Sequence, residues 1–408
     1  MAINDELSAV NAAMKIYYKG GKLVKLGYKN HPFYGLIRKN KGFKGISVPI
    51  VPWFARTAGQ SHLLPKAQAN ASSEETAAFQ IKVKRNYTVT TIDRMNMLAT
   101  ASDEGSYLKL MTDSVDGCAM VHANDIAGKL YRNFGGSRGQ IAASNGVAAG
   151  PPVVLTLANP GDIVNFEKNM VLVSAANDGT LGGAPRAGVG KITAVDRILG
   201  KITVDSAAGF ANGDHLFLEG DFGLSYYGVA AWVPTTAPST SDNFLGVNRS
   251  VDSRLYGQYF DGSSMSIAEA LNAIDVRLSR EGHAADHCFI NPVQFGIFRE
   301  ELTPQVTYDK AASPKDASVS FESIRFQGMK GPIQVVPDPD CPQGEMLVTE
   351  LSSWTLWSIG EVPQPAEMNG LKFITQTAAD GGEVRLASYA QLANDNPGAS
   401  ARVKTVAA

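Results

Sequence analysis

Phe79-Gln-Ile-Lys-Val-Lys-Arg-Asn-Tyr-Thr-Val89 alternates apolar and polar side chains. A period of two places Phe79, Ile81, Val83, Arg85, Tyr87 and Val89 on one face of a β-strand. Upstream, Gly45-Ile-Ser-Val-Pro-Ile-Val-Pro-Trp53 also alternates, with proline at positions an edge strand tolerates. The residues between them, 54–75, are mostly small and polar, the composition of a loop tip. Together these segments predict a long hairpin. An isolated two-stranded ribbon is marginal in water, so this one needs a neighbouring surface.

A helix is expected next, over residues 102–133. Leu108, Met111, Val115, Cys118, His122, Ile126 and Leu130 recur at spacings of three or four, and Gly135-Gly136 ends the pattern. A helix of about 30 residues spans roughly 45 Å, long enough to act as a spine. Before the hairpin, residues 1–42 show little periodicity and carry Gly20-Gly21, Gly27 and Gly35. They read as an extended arm, with a short helix over 5–18. Beyond the spine, five short β-rich runs fall at 153–157, 170–174, 190–197, 201–205 and 215–218. Lys191-Ile-Thr-Ala-Val-Asp196 nearly repeats as Lys201-Ile-Thr-Val-Asp205 across a tight turn at Leu199-Gly200. Residues 151–220 are therefore expected to form a small antiparallel β-barrel or sandwich inserted into a larger domain.

The remainder mixes helix and strand. Ser266 and Glu269 form a capping box ahead of Ile267, Leu271, Ile274 and Leu278, and Gly282 stops that helix. Cys288-Phe-Ile290 reads as a strand, and Asn291-Pro292 opens a second helix to about residue 302. Short strands are expected near 321–327, 333–336, 345–350 and 354–358, then alternation at 371–377 and 383–389. The fold class is α+β with an inserted β domain.

Composition narrows the function. The 408 residues are 44% hydrophobic and 19% charged, an ordinary globular balance. Three cysteines at wide, irregular spacing argue against a disulfide framework. No run approaches the roughly 18 apolar residues of a membrane span, and the N-terminus has no secretory pattern. Charge is the informative feature. Residues 8–73 contain no Asp or Glu but carry Lys15, Lys19, Lys22, Lys25, Lys29, Arg38, Lys39, Lys41, Lys44, Arg56 and Lys66. That is +11, which leaves −13 on the rest of a chain whose net charge is −2. A basic front can meet the acidic body of another copy, or a polyanion. The interleaved Tyr17, Tyr18, Tyr28, Phe33, Tyr34, Phe43, Trp53 and Phe54 need a surface to lie on.

Catalytic patterns are weak. His283, Asp286, His287 and Cys288 are close in sequence, but between a helix-ending glycine and a strand their spacing does not converge. His122 falls on the apolar stripe of the spine and reads as a packed histidine. Gly190-Lys191 lacks the following Ser or Thr of a phosphate loop, and Gly135-Gly-Ser-Arg-Gly139 follows a helix where a phosphate cradle precedes one. No cofactor, metal or enzyme activity is implied. Two classes remain: a self-assembling structural protein, and a nucleic-acid-binding module using the basic aromatic arm. Excess negative charge on the rest of the chain disfavours the second.

Trp232-Val-Pro-Thr-Thr-Ala-Pro238, Phe244-Leu-Gly-Val-Asn-Arg-Ser-Val-Asp252, residues 255–262 and Phe289-Ile-Asn-Pro292 resemble phage major capsid proteins of the Hong Kong 97 fold. Phe166, Met170, Ala194-Val-Asp-Arg197 and Asn212-Gly-Asp214 look like a β insertion found in some of these capsids. The resemblance implies an N-terminal arm over 1–42, an E-loop hairpin over 43–93, and a P-domain with its spine helix over 94–150. It further implies an inserted β domain at 151–220, a P-domain continuation at 221–283, an A-domain at 284–365 and terminal P-domain strands at 366–408. It also implies a virion protein, made in a bacterial cytoplasm, that assembles as hexamers and pentamers into an icosahedral head around double-stranded DNA. The expected partners are further copies of the chain, a separate scaffold, a portal and weakly held DNA, with no membrane; cement proteins stay open. The basic arm (Lys15, Lys19, Lys22, Lys25, Lys29, Arg38, Lys39, Lys41, Lys44) would face DNA or neighbours, and Trp53, Phe54, Arg56 and Lys66 would make E-loop contacts. Some members cross-link an E-loop Lys to a neighbour's Asn. Lys66 with Asn394 or Asn396 could be offered, but no cross-linking motif matches residue by residue. An encapsulin-type compartment is the alternative within the fold, and encapsulins generally lack a large β insertion.

Overall fold

The alternation over 79–89 yields two strands with different partners. In the computed structural model, which describes residues 31–55, 59–73, 75–93, 104–148, 152–302, 323–366, 373–375 and 381–405, strand Phe79–Ile81 pairs antiparallel with Val48–Ile50. Strand Lys84–Asp93 instead pairs along its whole length with the C-terminal strand Gly381–Asn394, from Lys84 opposite Ala390 to Asp93 opposite Gly381. The break at 82–83 reverses the pleat. Phe79 and Ile81 point into the core, whereas Tyr87 and Val89 stand half exposed and Asn86 is buried. The sequence expectation of one continuous face is corrected here, because a change of partner resets the two-residue register.

The hairpin continues outward through Trp53–Ala55, paired with Glu75–Thr76. Its tip carries a short helix, Leu64–Ala69, where only a loop was expected; Pro65 at the first turn suits a helix start. Residues 1–30 lie outside the described residues, as do the expected helix over 5–18 and Arg56. From His31 onward the expected arm is folded: helix Pro32–Leu36 buries Phe33 and Tyr34, and Arg38–Asn40 pairs parallel with Trp354–Ser358.

Helix Glu104–Tyr131 matches the expected spine. It packs on Lys84–Asp93 and Gly381–Asn394, which belong to a six-stranded sheet that also holds Arg38–Asn40, Trp354–Ser358, Gln364–Pro365 and Phe373–Thr375. A second six-stranded sheet runs in the order Gln258–Asp261, Ser400–Lys404, Glu345–Thr349, His287–Ile290, Pro332–Pro337, Ile324–Gln327. Helices Ile267–Arg280 and Pro292–Leu302 share a core with this sheet through Leu271, Ile274, Phe298 and Val348. The capping box forms: Glu269 N donates to Ser266 Oγ at 3.2 Å, and Ser266 N donates to Glu269 Oε2 at 3.0 Å. Such a cap contributes about 1 kcal/mol.

The insertion is a closed antiparallel barrel. All five expected strands occur, as Val153–Thr156, Val171–Ala175, Val189–Asp196, Lys201–Val204 and His215–Leu218, joined by Gly139–Gln140. The sheet order places Gly139–Gln140 and Val153–Thr156 at opposite edges. Bridges from Ile141 to Leu157 and from Val147 to Leu155 close the ring. Closure removes the exposed edges that an open sheet would present. Ile141, Leu155, Phe166, Leu172, Ile192, Ile202, Val204 and Leu216 fill the interior.

Candidate assembly surface

Three elements meet at one groove. The exposed side of strand Lys84–Asp93, the C-terminal half of the long helix and one flank of the barrel enclose about 650 Å³. Tyr87, Val89, Val121 and Val164 line it, and each is half exposed. Four large apolar side chains converging on one groove form a surface that gains from being covered, by about 1–2 kcal/mol per side chain before association costs. Glu167, Glu219, Asp221 and Asp340 also line it.

Along the groove a largely buried ionic network ties the barrel to the long helix. Lys129 Nζ lies 2.9 Å from both Asp125 Oδ2 and Asp221 Oδ2. Asp125 also takes the Arg138 guanidinium and, at 2.7 Å, Nδ2 of Asn86. Arg132 donates to Asp162 Oδ1 at 2.6 Å. Burial pulls Arg138 down to about 10 against the charge of Asp221. These contacts leave from one face of the helix at 125, 129 and 132, the i, i+4 and i, i+3 spacings that share a face. His122, one turn earlier, is enclosed between Thr88 Oγ1 at 2.7 Å and Ser388 Oγ at 2.6 Å. Burial first, then the Lys129 charge, lowers its pKa to about 4.

The hairpin offers the complementary character. Ile46 is 86% exposed, Leu63 64% and Leu64 70%. Among residues 43–73 there is no acidic side chain. The tip thus combines unpartnered leucines with Lys66, whose side chain is exposed.

The basic residues named from sequence divide. Lys15, Lys19, Lys22, Lys25 and Lys29 lie outside the described residues. Arg38 and Lys44 are exposed, and Lys41 pairs with Glu361 at 2.9 Å. Lys39 turns inward: its Nζ donates to Gly35 O at 2.6 Å beside the Tyr34 ring, and burial lowers its pKa to about 8. Phe54 also belongs to the chain's own core, and its carbonyl accepts from Arg254 at 2.8 Å. Trp53 is on a strand of the hairpin. Of the two asparagines considered for cross-linking, Asn394 is fully buried against Ser400, and Asn396 donates to His283 Nδ1 at 3.4 Å.

The sequence cluster 283–288 does not converge. His283 meets Asn396, His287 stacks on Phe289, and Cys288 is buried against Met346. Among the described residues no three His, Cys, Asp or Glu side chains gather as metal ligands. No described helix is long and apolar enough to cross a membrane. All three cysteines are unbridged and buried.

Sequence reasoning missed the groove itself. Its only signal was the pair Tyr87 and Val89, which the alternation placed on the same face as Phe79 and Ile81.

No family model and no curated protein matches the sequence. Among solved structures the chain is similar to the cyanophage A-1(L) capsid asymmetric unit, at 10% identity over 92% of each chain with a TM-score of 0.53. The SrpI encapsulin complex from Synechococcus elongatus matches at 10% identity over 91% of this chain and 87% of that one, with a TM-score of 0.45. The capsid of a native GTA particle matches at 8% identity over 94% and 91%, with a TM-score of 0.45. The first likeness spans nearly the whole of both chains, so it concerns the architecture rather than one shared motif. The chain shares the α+β fold of that capsid subunit.

Proposed function

We propose that this chain is the repeating subunit of a closed protein shell, a major capsid protein that assembles as hexamers and pentamers around double-stranded DNA. The observation that carries the reading is the capsid-like fold, matched over 92% of both chains. Two features of the subunit support it. The hairpin holds Leu63 and Leu64 in solvent, and the groove between helix, sheet and barrel leaves Tyr87, Val89, Val121 and Val164 half exposed among its charged residues. Weak contacts of this kind add up when repeated around a closed symmetric assembly.

On this reading the hairpin of 43–93 is the E-loop, the long helix the spine of a P-domain, and residues 284–365 the A-domain around the capsomer axis. Residues 1–42 are the arm, whose part from His31 onward packs on the chain's own core. Arg38, Lys44 and Lys66, and Lys41 beside its Glu361 partner, would meet a neighbour or DNA, whereas Lys39 and Phe54 serve their own subunit. Scaffold and portal proteins are separate partners.

The hairpin gives a direct test. Leu63→Ser with Leu64→Ser changes two exposed side chains and should leave the unfolding midpoint of the subunit within about 0.5 kcal/mol of the parent. Sedimentation velocity should then show capsomers and shells replaced by free subunits. Shells formed at the parent yield and rate would contradict the role given to the hairpin tip.

A further inference from the structure

His31 immediately precedes helix Pro32–Leu36, and its ring is gripped on both sides. Nδ1 lies 2.5 Å from Asp340 Oδ2, and Nε2 lies 2.8 Å from Asn124 Oδ1. Both facing atoms are oxygens, a carboxylate and an amide, so a doubly protonated ring satisfies both contacts with each nitrogen donating. The loop carrying Asp340 holds the chain a second time through Asp338. Its Oδ2 accepts from Phe33 N at 3.0 Å and from Tyr131 Oη at 2.8 Å, and its Oδ1 accepts from Asp340 N at 3.0 Å. His31 and Asp338 are both buried.

We propose that His31, Asp340 and Asn124, backed by Asp338 and Tyr131, form a proton-operated latch. Closed, it fastens the start of helix Pro32–Leu36 to the long helix and to loop 338–341; loss of the imidazole proton opens it. A neutral ring can donate from one nitrogen only, so deprotonation abandons either the Asn124 bond or the Asp340 bond, and with it the ion pair.

The electrostatic surroundings support this sense of operation. Asp340 and Asp338 face the ring from the loop; Asn124 and Tyr131 face it from the long helix, where Asp125, Lys129 and Arg138 neutralise one another further along the groove. Burial opposes charge on His31, yet the hydrogen bond and negative charge of Asp340 raise its pKa above 6.5. Burial, with the adjacent Asp340 carboxylate, pushes Asp338 up from 3.8 to about 7. Both groups therefore bind protons more tightly in the closed latch than in an unfolded chain. The His31 contribution is complete below 6.5 and is lost as pH rises through the raised value. The Asp338 contribution declines from 3.8 upward and is gone beyond about 7. Rising pH therefore opens the latch through His31, while the ionised Asp338 remains the acceptor for Phe33 N and Tyr131 Oη.

Two measurements on the full chain test it. Hydrogen exchange at the imidazole Cε1 carbon, followed by mass spectrometry against pH, should give His31 a pKa above the ordinary histidine value. A value at or below the ordinary one overturns the proposal. Backbone exchange at Phe33, Gly35 and Ile37, corrected for the intrinsic pH effect, should speed up as pH is raised from about 5.5 to about 8.5, by roughly tenfold for each unit of raised pKa. His31→Gln should weaken this dependence, and His31→Gln with Asp338→Asn should flatten it. A parent protein whose exchange there is independent of pH, or a His31→Gln protein with the parent's pH profile, overturns it as well. Both readouts lie within one subunit, so their outcome is distinct from whether shells assemble.

Discussion

Replacing Phe33 with alanine asks whether the residues just after position 30 belong to the folded body. The Phe33 ring sits 5.1 Å from Tyr131, 5.2 Å from Phe289 and 5.9 Å from Trp354, centroid to centroid. Those rings stand on the long helix, on strand His287–Ile290 and on strand Trp354–Ser358, so one side chain joins the helix to both mixed sheets. Truncating a buried phenylalanine costs about 3–5 kcal/mol, and edge-on ring contacts account for about 0.5–1.5 kcal/mol each within that range. Three large rings frame the space and cannot easily collapse into it, which favours the upper half, about 4 kcal/mol. Leu36, on the same short helix and 37% exposed, is the control; its truncation should cost less than about 1 kcal/mol. Urea unfolding of the purified subunit, followed by tryptophan fluorescence, reports the change beside Trp354. If Phe33→Ala and Leu36→Ala unfold at the same urea concentration, this segment is not part of the core and the reasoning fails.

Two further perturbations probe the junction between barrel and helix. Lys129→Met leaves Asp125 and Asp221 without their shared cation and should cost about 3 kcal/mol; faster protease cleavage between barrel and helix, with the barrel itself intact, is the expected readout. His122 has a folded pKa of about 4 against an ordinary value of 6.5, so the folded state binds its proton less readily than the unfolded one. Its neutral form contributes stability above 6.5 that is lost as pH falls toward about 4, roughly 3 kcal/mol in all. His122→Gln should therefore lose less stability than the parent between those pH values, and unfolding midpoints that fall in parallel would refute the assignment.

Local signals served the sequence reading well where one element answers to its own residues. The long helix, the Ser266 capping box, the Asn291-Pro292 helix start and the barrel strands were all legible, since spacing, caps and turns act over a few residues. Strand Ser400–Lys404 was missed because Ser400-Ala401 carries no marked alternation, and its place between Gln258–Asp261 and Glu345–Thr349 depends on residues far away in sequence. Arg38–Asn40, three polar residues in parallel pairing with Trp354–Ser358, is invisible for the same reason. The aromatics of the basic front signalled a need for a surface, and for Phe33 and Tyr34 that surface is the subunit's own interior. The groove was beyond reach, because it gathers side chains from near 31, 87, 121, 164, 219 and 340. Only the partner exchange at 82–84 turns Tyr87 and Val89 toward it.

Electron microscopy of the purified full chain would show whether this fold builds a shell. The account predicts ring-shaped capsomers and closed, hollow particles of uniform size. A monodisperse monomer that forms neither, yet binds DNA with an affinity falling steeply as salt rises, would contradict it.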